Sequence, residues 1–194
     1  MIGLRSLPVA LLGVAMTALP GCATYQAPSP LMAFTPLVTA KAATDLALAD
    51  AAASQGDRAA LAAALTRLRN RGVQPLDADT RSLLERWESI AHPDGPPLRG
   101  RALGPGFRRG TLTPGQKLEL QQIFLAGEPA ELALTGAGRA SLQATLRDGE
   151  ARTVCTFGPP RETACAFTPV FTQRYVIEIA NGGKRAATYF LVFK

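Results

Sequence analysis

The chain has 194 residues, a formal net charge of +6 and a hydrophobic fraction of 47%, which suits one globular domain or two small ones. It contains one histidine and three cysteines, so it has few of the groups that a histidine-assisted nucleophile or a structural zinc site requires. Residues 23–95 contain 7 Lys and Arg against 8 Asp and Glu, whereas residues 96–194 contain 13 against 7. The excess positive charge therefore lies in the second half of the chain.

The N-terminal segment has the layout of a secretory signal peptide. Arg5 precedes an apolar run, residues 6–19, that is too short to span a bilayer as a permanent helix. The run ends in Leu19-Pro20-Gly21-Cys22, which resembles the lipobox of bacterial lipoproteins, although Pro20 stands where Ala or Ser is commoner. The resemblance implies that residues 1–21 are removed and that Cys22 is acylated, for example with palmitate. The alternative is an ordinary cleaved signal peptide beside a free cysteine.

Residues 22–36 are predicted to be a tether, because residues 23–36 contain three prolines and no periodicity. Ala23 is not the aspartate that such lipoproteins use for retention at the inner membrane. The resemblance therefore implies an anchor in the outer membrane, facing the periplasm or the cell surface. No nucleic-acid partner is predicted.

Residues 37–95 have the pattern of a small unit of three helices. Gly56 ends the first helix, Asp57 is placed to cap the second, and Asp77 or Asp79 begins the third. Leucines spaced by four and three residues form one apolar stripe on the second helix: Leu61, Leu65 and Leu68. The inward residues predicted for the third helix are Leu83, Leu84, Trp87 and Ile90. We expect this unit to pack on the following domain or on a partner, with Trp87 as a core anchor or, alternatively, an interface anchor.

Short strand-like runs separated by turns follow a Gly- and Pro-rich boundary at residues 95–110. The runs cover residues 117–125, 130–135, 140–147, 150–157, 163–168, 174–180 and 188–193. Their number and spacing predict an antiparallel β-sandwich over residues 96–194, and hence an α+β fold with segregated helices and strands. The run from Thr188 to Phe193 is apolar at almost every position, so we expect both of its faces to be covered.

This half of the chain resembles the pre-peptidase C-terminal domain family. The similar segments are Gly110 with Leu112–Gly115, and residues 124–127, 142–149 and 175–181. The resemblance implies a jelly-roll-like sandwich that serves as an accessory module for targeting, binding or secretion. Some members bind calcium, but the acidic residues here are scattered, so no metal or cofactor is predicted.

Cys155 and Cys165 flank a loop of nine residues that contains Gly158, Pro159 and Pro160. In an oxidising envelope this spacing predicts a hairpin disulfide, which leaves Cys22 for acylation.

Other candidate sites have structural interpretations. His92, the one histidine, is predicted at a helix end, and Gly136-Ala137-Gly138 is interpreted as a hairpin turn between strands. Glu85 and Glu88 are interpreted as a solvated helix face that interacts with arginines such as Arg81. No catalytic residue is assigned.

The sequence therefore favours a lipid-anchored envelope protein that binds an envelope partner or supports an assembly without catalysis. One alternative is a cell-wall or glycan-acting enzyme that uses scattered carboxylates. The other is adhesion to an acidic glycan or anionic lipid through the basic β-domain.

Overall fold

The computed structural model describes residues 37–92, 104–136, 141–159 and 163–194. The predicted signal peptide, Cys22 and the tether lie outside the described residues. The helices of the described part are α1 (Val38–Gln55), α2 (Arg58–Asn70) and α3 (Ala78–Ala91). Its strands are β1 (Gln74–Pro75), β2 (Gly106–Leu112), β3 (Lys117–Phe124), β4 (Ala130–Gly136), β5 (Leu142–Arg147), β6 (Thr153–Phe157), β7 (Ala164–Phe167), β8 (Gln173–Asn181) and β9 (Ala187–Phe193).

The helix ends follow the predicted capping residues. Gly56 ends α1 in the left-handed conformation, and the Asp57 carboxylate accepts a hydrogen bond from the backbone amide of Ala60 in α2. Asp77, and not Asp79, caps α3 through a reciprocal pair of hydrogen bonds with Thr80. Capping depends on residues within a few positions of each other, so helix ends can be predicted from the sequence without knowledge of the tertiary structure.

The three helices share one apolar interior. Leu61, Leu65 and Leu68 are buried as predicted. On α3 the buried stripe runs through Leu83 and Trp87, with Leu84 and Ala91 partly buried. The prediction for Ile90 was wrong, since 42% of this residue is exposed. Ile90 is on nearly the same face as Leu83 but is the penultimate residue of α3, at the exposed C-terminal end of the helix.

The strands form two sheets that pack face to face. The five-stranded sheet has the order β1-β2-β9-β4-β7, and the four-stranded sheet has the order β3-β8-β5-β6. All pairings are antiparallel except that of the short β1 with β2. The predicted α+β class, with helices followed by an antiparallel sandwich, is confirmed.

Strand β9 is the centre of the five-stranded sheet and is covered on both faces, as its apolar sequence predicted. Phe190 and Val192 are fully buried in the cluster that contains the helices. Tyr189 and Leu191 point the other way, into the cluster between the two sheets. The helices therefore form a third layer on the outer face of this sheet.

Strand β2 lies partly within the segment that the sequence assigned to a domain boundary. Its glycines and arginines interrupt the apolar alternation that marks a strand. One of these glycines has a packing reason, because a Cβ at Gly110 would lie 2.6 Å from the hydroxyl oxygen of Tyr189 on the paired strand. Phe107 is fully buried against the helices, so β2 belongs to the core of the sandwich.

Two predicted hairpins are connections between the sheets. Strand β4 pairs with β7 and β9, and β5 pairs with β6 and β8, so the strands on either side of the predicted turn at residues 136–138 belong to different sheets. The Cys155–Cys165 disulfide is present, with a Cα–Cα distance of 6.4 Å, but β6 and β7 are edge strands of different sheets. It therefore joins the two sheets at one side of the sandwich. The spacing of strands along the sequence does not determine which strands pair with each other in a sheet. The hairpin interpretation was therefore wrong for both connections.

Candidate functional site

The outer face of the four-stranded sheet is a largely polar surface that no described helix covers. The described helices pack on the other sheet, while alternate residues of β3, β8, β5 and β6 point outward from this one. We call this surface the open face. Its residues are Lys117, Glu119, Gln121, Ile123, Gln143, Thr145, Arg147, Thr156, Arg174, Val176, Glu178 and Ala180.

Glu178 lies at the centre of the open face and is ion-paired on both sides. Its carboxylate is 3.2 Å from Lys117 Nζ and 3.4 Å from Arg147 Nη1. The hydrogen bond from Lys117 lowers the pKa of Glu178, and the positive charges of Lys117 and Arg147 add to this effect against a smaller opposing effect of desolvation. Glu119 lies directly across the strand pair from it. A general acid requires a raised pKa, so this carboxylate is suited to a fixed negative charge.

Asp148 organises the turn between β5 and β6. Its carboxylate accepts hydrogen bonds from the backbone amides of Glu150 and Arg152 and from Arg152 Nε at 2.8 Å. Desolvation raises the pKa of Asp148, but these hydrogen bonds together outweigh it, and the net shift is downward. The residue is therefore engaged in the turn itself.

Two adjoining loops carry the most exposed large apolar side chains of the described residues. We call residues 125–128 and 169–172 the apolar loop pair. The exposed fractions are 77% for Val170, 71% for Phe171 and 50% for Leu125, and Ile123 at the base of the first loop is 54% exposed. These residues were not singled out from the sequence. The signal that could have found them is the apolar Val170-Phe171 pair between Pro169 and Thr172, where a turn is expected to be polar.

The loop pair is held in a defined shape. The Gly127 amide donates to the Pro169 carbonyl at 2.8 Å, and the Ala126 amide donates to Thr172 Oγ1 at 3.0 Å. Beneath the loops, three aromatic rings pack together with centroid separations of 5.2 to 5.6 Å: Phe124, Phe167 and Tyr175. The exposed side chains therefore project from a well-packed support.

A shallow cleft of about 320 Å³ lies between α3 and β2. Its lining residues are Asp79, Ser82, Leu83, Arg86, Arg109 and Gly110. Arg109 is 3.4 Å from Asp50 and stacks over the Phe190 ring, so its charge is already partnered. Asp79 and Arg86 also line the cleft, and their opposite charges offset each other, which leaves little net attraction for an anion.

Trp87, a possible interface residue in the sequence, is a core residue in the structure. It is 3% exposed, and its ring centroid is 6.3 Å from that of Phe190 on β9. The side chain therefore anchors α3 to the five-stranded sheet and is not presented to an external partner.

The remaining sequence candidates also have structural roles. His92 ends α3 in the left-handed conformation, with its amide donating to the carbonyl of Glu88. The Glu88 carboxylate pairs with an arginine as expected, but with Arg69 on α2, at 2.9 Å. Cys22 lies outside the described residues, so its lipidation stays a prediction.

The described residues contain neither a cluster of metal ligands nor a helix suited to span a membrane. No group of three or more His, Cys, Asp or Glu side chains within the described ranges could hold a metal ion. Among the helices described, none combines the length and the apolar content that are needed to cross a bilayer.

Comparisons with known proteins assign no family. No family model matches the sequence, and no curated protein matches it. A pre-peptidase C-terminal domain of a Bacillus anthracis collagenase has a similar structure, with a TM-score of 0.41, 11% identity, and coverage of 45% of this chain and 87% of that one.

Two further structures have similarly low scores. The Yersinia pseudotuberculosis-derived mitogen gives a TM-score of 0.41 at 12% identity, covering 47% of this chain and 85% of its own. Aeromonas hydrophila PliG, a periplasmic inhibitor of g-type lysozyme, gives 0.38 at 8% identity, covering 63% of this chain and 94% of its own. At these scores the similarities assign neither a family nor a function.

Proposed function

We propose that the protein is a lipid-anchored module of the cell envelope that binds a partner protein through the open face and performs no catalysis. The open face is the observation that carries this proposal. It is built from four neighbouring strands whose outward side chains are mostly polar or charged, which suits pairing with complementary groups on a partner protein. Its central carboxylate, Glu178, is ion-paired to Lys117 and Arg147 and has a lowered pKa, which suits recognition by fixed charges.

Two features support a location in the envelope. The sequence around Cys22 resembles a lipobox, and acyl chains on that cysteine would anchor the protein, since each buried methylene contributes about 0.8 kcal/mol. The Cys155–Cys165 disulfide joins the sheets, and such bonds persist in oxidising compartments.

The partner-binding part of the proposal is tested by site-specific photo-crosslinking in the cells that produce the protein. A photoreactive amino acid is placed at Gln121 or Gln143, both exposed on the open face. The matched control places it at Glu85, which is exposed on the outer surface of α3. We expect a discrete protein adduct from the two open-face positions and none from the control. Equal adducts from all three positions, or none from any, would contradict the proposal.

The anchoring part is tested with Cys22→Ser. We expect this substitution to move the protein out of the membrane fraction and to abolish the acylated N-terminal peptide in mass spectrometry of the mature protein. A Cys22→Ser variant that stays in the membrane fraction would refute lipidation as the anchor.

A further inference from the structure

We infer that the apolar loop pair rests on the lipid bilayer and holds the tethered protein with this end towards the membrane. The inference deepens the proposed function, because it rests on the lipid anchor proposed above. It assigns a membrane-contacting role to Ile123, Leu125, Val170 and Phe171.

The exposure of these side chains is the first observation. They are 50% to 77% exposed, whereas the other large hydrophobic residues counted as exposed in the described part of the chain range from 37% to 49% and are scattered. Leu125, Val170 and Phe171 are carried by two loops that are hydrogen-bonded to each other, and Ile123 lies two residues before Leu125, near the end of β3. Exposed apolar side chains grouped at one end of a domain mark an interaction site.

The second observation is the point at which the chain enters the fold. The Thr39 amide and hydroxyl, in the first turn of α1, lie 3.4 and 3.3 Å from the Glu131 carboxylate. Glu131 is the second residue of β4, which directly follows the first loop of the pair. The start of α1 and the loop pair are therefore at the same end of the sandwich.

The length of the preceding segment agrees with this placement. Fourteen residues separate Cys22 from Leu37, and a segment of that length spans at most about 50 Å. An acylated Cys22 would therefore keep this end of the sandwich within reach of the bilayer, and the apolar side chains would select one orientation among those that the tether permits.

The charges near the loop pair indicate how the contact forms. Arg174 and Lys194 are exposed at this end, but so is Glu128, and the carboxylate of Glu131 is close by. Mixed charges give little net attraction for an anionic surface, so insertion of apolar side chains is the driving interaction. Contact with zwitterionic lipid is therefore expected, and it should be insensitive to salt.

The opposite end of the sandwich exposes two basic residues. Lys184 and Arg185 are exposed in the loop between β8 and β9, which lies at the other end of both strands. Adhesion to anionic lipid by basic residues would bring this end to the membrane. The two modes of contact thus predict opposite orientations.

The test uses the mature acylated protein, beginning at Cys22, in phosphatidylcholine vesicles that contain doxyl-labelled lipid as a quencher. A fluorophore is attached at Glu128→Cys, beside the loop pair, or at Lys184→Cys, at the opposite end. We expect stronger quenching at residue 128 than at residue 184, and no change in the difference when the salt concentration is raised.

A pair of double variants isolates the loop side chains. Val170→Ser with Phe171→Ser should abolish the excess quenching at residue 128, while the protein stays on the vesicles through its lipid. The matched control, Leu48→Ser with Ile90→Ser, removes two large apolar side chains that are 49% and 42% exposed on the helices, and it should leave the quenching unchanged.

The outcomes separate this inference from the proposed function. Failure of the wild-type protein to associate with vesicles would refute the lipid anchor, and with it the premise of the inference. Association with equal quenching at both positions would overturn the inference alone. Stronger quenching at residue 184, obtained only with anionic lipid and lost in salt, would overturn it in favour of the basic end.

Discussion

Each sheet of the sandwich packs its inner face against the other sheet. The outer faces differ, because only that of the five-stranded sheet is covered by the described helices. In the five-stranded sheet, β9 is buried on both sides, by the helices through Phe190 and by the second sheet through Leu191. In the four-stranded sheet, β8 buries Ile177 and Ile179 on the inner side, while its outer residues form the open face. The fold thus concentrates its apolar burial in one sheet and leaves the other sheet available for recognition. Predictions of stability follow from this asymmetry.

The largest effect is expected for Phe190→Ala. The side chain is fully buried between Trp87 and the five-stranded sheet, so its removal leaves a cavity that should cost about 3–5 kcal/mol in the free energy of unfolding. The matched control is Val176→Ala on the open face, where a half-buried side chain should cost about 1 kcal/mol or less. Urea denaturation followed by circular dichroism measures both. Equal losses of unfolding free energy in the two variants would contradict the claim that apolar burial is concentrated in the five-stranded sheet.

The next effect concerns the bond that joins the sheets. Replacement of Cys155 and Cys165 together by Ala should lower the free energy of unfolding by about 2.5–3 kcal/mol in the chain-entropy model. The measurement is thermal unfolding with and without a reducing agent. The wild-type midpoint should fall towards that of the variant on reduction, and the midpoint of the variant should not move. If the unfolding midpoint of the wild type does not change on addition of the reducing agent, the disulfide contributes nothing to stability.

A smaller effect is expected at the start of α3, in the helical layer. Asp77→Ala removes the cap to Thr80 and should cost about 1 kcal/mol near neutral pH. Desolvation raises the pKa of Asp77, but the hydrogen bonds from Thr80 and the charges of Arg108 and Arg81 together lower it. Because the folded pKa lies below the unfolded one, the stabilisation is fully present above about pH 4 and is lost as the pH falls through the folded pKa.

Unfolding free energies of the wild type and Asp77→Ala between about pH 2 and pH 6 check this direction. The two curves should converge at the acidic end. A difference that widens on acidification would show that the Asp77 carboxylate is not the stabilising form.

The smallest effect is expected on the open face. Glu178→Gln removes ion pairs with Lys117, which is 64% exposed in its side chain, and with Arg147, so the cost should be below about 1 kcal/mol. In contrast, the photo-crosslink from Gln121 should weaken clearly in this variant if the proposed partner recognises the fixed charge of Glu178. An intact adduct yield would exclude Glu178 from the interface.

Local signals in the sequence predicted the local structure well. Asp57 and Gly56 identify their helix ends because capping depends on neighbours within a few residues. The strand runs and the covered strand Thr188–Phe193 are visible in the alternation and apolar content of the sequence. Non-local pairing is not encoded in this way, and so the hairpin interpretations of Gly136 and of the disulfide loop were wrong.

The candidate site was less predictable than the fold. The open face contains the polar half of each alternating strand, and no single residue type marks it as a surface for binding. Val170 and Phe171 could be suspected only from their apolar character at a turn position, and their exposure became evident from the structure. Phe107 and Gly110 illustrate the opposite case, because β2 belongs to the core although its sequence resembles a boundary.

The position of β9 along the chain has a consequence for folding. The helices are synthesised long before residues 187–193, yet these residues provide much of the surface on which the helices pack. The contacts between α1 and β9 join residues more than a hundred positions apart, and contacts of high sequence separation form slowly. The helical segment therefore has no complete support until β9 is available. A chain with this arrangement can complete its helical layer only after its last described strand has been synthesised and paired.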